Sequence, residues 1–95
     1  MNDEIAFGRW LQRYREVRNL SLQELARHLQ YSESYLSNVE QTSKLGIQLA
    51  RVIFEYLPLS PEERHALRLI CRSVLSPMEQ DRLFQIGLMA LVPSA

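Results

Sequence analysis

Three times in this chain a serine precedes a glutamate by three residues at the head of an apolar-periodic run: Ser21 with Glu24, Ser60 with Glu63, and Ser76 with Glu79. In each, the hydroxyl can accept the third backbone N–H of a helix while the carboxylate reaches back to the cap residue's own N–H. Pro61 and Pro77 follow two of these serines at the first helical position, where a missing N–H costs nothing. No segment alternates as a half-buried strand does. The spacing predicts helices near 3–18, 21–29, 32–42, 47–57, 61–75 and 77–91, joined by short connections. In the first of them Phe7, Trp10, Leu11, Tyr14 and Val17 step by three and four into one stripe.

A chain of 95 residues is one domain with a thin core. Its apolar fraction of 46% is that of a folded protein, which argues against disorder. The lone Cys71 excludes an internal disulfide, and His28 and His65 lie too far apart for zinc spacing. Cys71, beside Ile70 on an apolar face, reads as a small buried hydrophobe. The acidic start Met1-Asn2-Asp3-Glu4 is unlike a secretory signal. The longest nearly uncharged run, Leu83 to Val92, is about half of what a membrane span needs. A cytoplasmic protein that does not engage a membrane is the expectation.

Eleven basic residues balance eleven acidic ones, with a pI near 6.7. DNA-binding domains are more often basic, because phosphate neutralisation supplies much of their affinity. From Arg9 to Lys44, however, six basic residues face four acidic ones. Many remaining acids stand at helix starts, where the helix dipole favours them.

The segments 21–29 and 32–42 are separated only by Gln30 and Tyr31, too short a joint for full reversal. Leu22, Leu25, Ala26 and Leu29 are expected to face inward from the first, and Tyr35, Leu36 and Val39 from the second. Ala26 is small where two helices cross closely. The second helix then presents its outer face as a ridge of the kind that enters a major groove.

The stretch Asn19-Leu20-Ser21-Leu22-Gln23-Glu24-Leu25-Ala26, followed by Tyr31-Ser32-Glu33-Ser34-Tyr35-Leu36-Ser37-Asn38-Val39-Glu40, resembles the phage-repressor and Cro type of helix-turn-helix, the XRE family. The resemblance covers roughly residues 7–57. It implies an all-α, lambda-repressor-like helix-turn-helix bundle of five to six helices, residues 1–58 forming the DNA-binding region. Family members are mostly dimeric repressors or antitoxin-like autoregulators. Carried onto this chain, the resemblance puts Glu33, Ser34, Ser37 and Asn38 against base edges. Asparagine can pair with adenine, serine can donate or accept, and glutamate can accept from cytosine. Ser21, Gln41, Lys44 and Arg13 would meet phosphate, and Arg15 and Glu40 would form an internal ion pair. Four positions depart from the family pattern: Leu22 replaces a glutamine, Gln30 the turn glycine and Thr42 the glycine after the recognition helix, while Glu33 brings a negative charge to the helix tip.

Several residues have plainer roles open to them. Arg9, Arg13 and Arg18 can solvate the first helix or touch phosphate, and Glu33 can serve as a first-turn carboxylate. No glycine-rich phosphate loop, metal-ligand pair or cysteine–histidine arrangement points to an enzyme, a cofactor or a metal.

From Leu83 to Val92 only Gln85 is polar, so apolar residues fall on every face of the last helix. A terminal helix of so small a protein covers one side on its own core, and the rest marks an interface. Residues 59–95 are therefore expected to form a helical hairpin that dimerises through Leu67, Ile70, Val74, Phe84, Leu88 and Leu91, all within one compact domain. Completion of the monomer core is the other reading. The sequence thus points to a homodimeric, sequence-specific regulator of double-stranded DNA, a repressor, with a regulatory protein as a further partner for the C-terminal helices. A second reading keeps the fold as a protein-interaction module with weak or no DNA binding.

Overall fold

The computed structural model describes residues 6–85. They form six helices: α1 (Phe7–Val17), α2 (Leu22–Leu29), α3 (Glu33–Thr42), α4 (Ile47–Tyr56), α5 (Pro61–Val74) and α6 (Pro77–Gln85). The boundaries expected at 3–5 and 86–91 lie outside the described residues, as do Leu88 and Leu91. Among the described residues, no helix is long and apolar enough to cross a membrane.

The serine–glutamate signals do what their spacing predicts. Ser21 Oγ accepts from Glu24 N at 3.0 Å, and Ser21 N donates to Glu24 Oε1 at 2.9 Å. The same reciprocal pair forms at Ser60 and Glu63 and again at Ser76 and Glu79. Ser32 caps α3 by accepting from Tyr35 N at 3.0 Å.

The turns between the early helices use left-handed residues that are not glycine. Asn19 (φ 55°), Gln30 (φ 62°) and Ser43 (φ 59°) each turn the chain out of a helix. After α1 and α2 the closing bonds run from Leu20 N to Arg15 O and from Tyr31 N to Ala26 O, the long-loop bond of a Schellman end. The left-handed position after α3 is Ser43 rather than Thr42, which stays helical and donates its hydroxyl to Asn38 O at 2.9 Å.

One continuous core joins all six helices. α1 packs on α3 and α5, α2 on α3 and α4, and α6 closes against α4 and α5. Phe7, Trp10 and Tyr14 stack in series with ring centroids 5.9 and 5.8 Å apart. Two residues assigned inward from their spacing are not buried: Val17 is 71% exposed and Tyr35 44%. Leu22 is only partly covered. Val17 ends α1, where no neighbouring helix continues to cover it.

Two contacts fix α1 against its neighbours. At one side Gly8 sits so close to α3 that an added Cβ would overlap the Glu40 carbonyl oxygen, and Gly8 N donates to Ser43 Oγ at 3.1 Å. Ser43 thereby satisfies an N–H of α1's first turn, which Ala6 cannot cap. At the other side Trp10 Nε1 donates to Glu63 O at 3.2 Å. Arg18 grips the Glu63 carboxylate with both Nη atoms at 2.7 Å, bonds Pro58 O at 3.1 Å, and lies 3.8 Å over the Tyr14 ring. Arg18 is a clasp between α1 and α5, neither a merely solvated residue nor a free phosphate ligand.

Cys71 is fully buried, and burial pushes its thiol up to about 12. It is a core residue without reactive character.

Backbone substitutions at the two kinds of special position should act in opposite directions. Gly8→Ala forces α1 and α3 apart and should cost about 1–3 kcal/mol. Gln30→Gly relieves a left-handed residue and should stabilise by a few tenths of a kcal/mol to about 1. Urea unfolding of both variants measures this.

The Arg18 guanidinium holds the Glu63 carboxyl below its ordinary value of 4.5, against the opposing effect of burial and with help from Ser60 N–H. A depressed folded value means stability that is complete above 4.5 and lost as pH falls through the folded value. Glu63→Gln should therefore cost about 2 kcal/mol at neutral pH. Chemical denaturation at stepped pH should show its deficit against wild type shrinking below pH 4.5.

Candidate nucleic-acid interface

The chain presents α3 by burying one side of a short helix and tethering that side. Leu36 and Val39 are buried. Glu40, one turn on, is drawn inward by Arg15, whose Nε and Nη2 reach its two carboxylate oxygens at 2.8 and 3.1 Å. Arg15 Nη1 also donates to Leu20 O at 3.2 Å, so one guanidinium ties α1, the α1–α2 turn and α3. Both partners are largely covered, at 17% and 12% exposure.

This tether sets the rotation of α3. At about 100° per residue, Ser34, Asn38 and Gln41 lie within about 35° of the direction opposite the buried face. All three are exposed. Ser37 is half-buried on the flank, and Glu33 is exposed at the N-terminal tip. Lys44 is exposed in the connection that follows α3, and Ser21 is exposed at the start of α2.

Gln41, placed against phosphate by resemblance, stands on the same ridge as Ser34 and Asn38. Arg13 is exposed, but it lies about 140° round α1 from Gly8, the residue that touches α3. It does not converge with the ridge.

Tyr35 is the residue that sequence reasoning misplaced. With Glu40 pulled in, the buried face of α3 centres near Leu36, about 90° from Tyr35. Tyr35 instead stacks on Tyr31, ring centroids 4.9 Å apart, as an aromatic pair beside the α3 N-terminus. Burial pushes the Tyr31 hydroxyl up from its ordinary range, with Tyr35 adding to the shift. The Arg15–Glu40 pairing was the signal that could have turned Tyr35 outward.

A family model described as a helix-turn-helix domain matches residues 6–67. The chain belongs to this helix-turn-helix family. The XRE-type resemblance holds across most of the molecule, and the match runs beyond residue 58 into α5. No curated protein and no solved structure was found to match the chain. Domains of this family are DNA-binding in type and non-catalytic. Among the described residues no group of three or more histidine, cysteine or acidic side chains could hold a metal.

The C-terminal helices divide the residues expected at a dimer contact. Leu67 and Ile70, at 0% and 6% exposure, are spent in the protomer's own core and have almost no surface for a second chain. Val74 and Phe84, at 49% and 56%, remain exposed, and so does Met78.

Proposed function

We propose that this helix-turn-helix protein is a dimeric, sequence-specific DNA-binding regulator acting as a repressor. The observation that carries the reading is the tethered ridge of α3, with Ser34, Asn38 and Gln41 facing outward, opposite Leu36. Asn38 supplies bidentate pairing to adenine, while Ser34 and Gln41 donate or accept at neighbouring base edges. Ser37 and Glu33 contribute from the flank and the tip, and Glu33 favours cytosine over any base lacking an amino donor. Ser21 and Lys44 take the phosphates on either side. Occupancy of a site is enough to block transcription, so repression asks for no further surface.

Two recognition helices about 34 Å apart read half-sites one DNA turn apart, which calls for a two-fold assembly. Val74 and Phe84 are the contacts proposed for it, with Leu88 and Leu91 beyond the described residues. Leu67 and Ile70 leave the proposal. The second reading, a helix-turn-helix module that binds protein instead of DNA, draws on the neutral charge balance, Leu22 and Glu33.

Selection from random duplex at low salt separates the two readings, since an enriched motif supports the first and no duplex binding supports the second. For the selected site, affinity should fall as salt rises with a log–log slope of about −0.9 per phosphate contact. Asn38→Ala should cost about 1–3 kcal/mol and relax preference at one position. Lys44→Ala should weaken all sequences alike and reduce the slope by about one contact.

Phe84→Glu should shift the protein to monomer by sedimentation. It should lower affinity for a two-half-site duplex while leaving a single half-site unchanged. A variant that stays dimeric would remove Phe84 from the interface.

A further inference from the structure

A cleft of ≈ 200 Å³ opens between α4 and α6, lined by Ile47, Gln48, Arg51, Arg82, Leu83 and Gln85. None of the six is part of the DNA-facing ridge, and none is acidic. Ile47 is partly buried and lends the cleft an apolar surface, above the fully buried Leu83. Arg51 on α4 and Arg82 on α6 both line it, so two arginines border the cleft from two helices.

The charges are incompletely compensated. Among the described residues Arg82 makes no ion pair, and it belongs to no side-chain hydrogen bond. Arg51 spends only its Nε, on Glu55 at 3.2 Å, in an exposed pair. Its two Nη atoms remain to donate. Like charges bordering one cleft repel, and an anion between them relieves that repulsion. A guanidinium offers a planar fork that matches the oxygens of phosphate or carboxylate. An apolar floor beneath a few converging polar groups is how small-molecule sites are built.

We infer that this cleft binds a small organic oxyanion, its charged head held between Arg51 and Arg82 and its apolar body resting on Ile47. The Gln48 carboxamide adds a donor at the side. Because the ligand touches both α4 and α6, it bridges the helix that packs on α2 to the helix that carries Phe84. The site does not depend on DNA binding.

Titration of the full chain with phenyl phosphate, benzoate and inorganic phosphate, followed by amide NMR, tests the inference. At least one of the two aromatic anions should give saturable shifts at Gln48, Arg51 and Leu83, and the tighter of the two identifies the head group. It should bind about tenfold more tightly than inorganic phosphate, since the ring adds apolar burial. Arg82→Gln should weaken it about tenfold or more. Glu55→Gln, which frees Arg51, should strengthen it about two- to threefold. Effects of opposite sign cannot both arise from loss of folding. Absence of saturation by either aromatic anion at millimolar concentration overturns the inference. So does unchanged affinity in Arg82→Gln, or shifts centred on other arginines such as Arg27.

Discussion

One guanidinium decides how α3 faces the outside. Arg15 reaches both carboxylate oxygens of Glu40 and the carbonyl of Leu20, so its position is fixed by three acceptors on two other parts of the chain. α3 is only ten residues long, too short to be stable as an isolated helix. Leu36 and Val39 hold it to the core, but two apolar residues leave its rotation loosely specified. The charged tether supplies the missing constraint. Loss of one partner would leave the other charge largely covered and uncompensated, which costs more than the pair itself contributes.

Gly8 completes the same constraint at the same C-terminal end of α3. Its missing side chain lets α1 approach the Glu40 carbonyl, and its N–H finds Ser43 Oγ. Ser43 can serve because it has taken the left-handed conformation that ends α3. The end of one helix therefore satisfies an N–H at the beginning of another. On the opposite side of α1, Trp10 and Arg18 fasten Glu63, which also forms the capping box of α5. α5 is thus part of the unit that holds α3, which agrees with a family match that ends at residue 67.

Several of the chain's acidic residues have internal uses that hold the helix-turn-helix fold together. Glu24, Glu63 and Glu79 are occupied as helix caps, and Glu40 and Glu63 are each held by an arginine. Their negative charge is met locally. Those pairs spend Arg15 and Arg18 as well, so the local charge along α3 is set by Glu33 at its tip and Lys44 after its end, with Ser34, Asn38 and Gln41 uncharged between them.

Helix positions were legible in the sequence because capping is a local interaction. Ser21 and Glu24, or Ser60 and Glu63, find each other within one turn whatever the rest of the chain does. The Arg15–Glu40 pair was legible only through family resemblance, since nothing local links residues 25 positions apart. Rotation and coverage required the folded molecule. Tyr35 and Val17 fit an inward stripe by spacing, yet Glu40's tether turns one outward and the end of α1 leaves the other uncovered. Leu67 and Ile70 likewise look the same in sequence as Val74 and Phe84, and only the packing of α1, α5 and α6 separates core from surface. Local hydrogen bonds are written in neighbouring residues. Which side of a helix meets water is a property of everything packed around it.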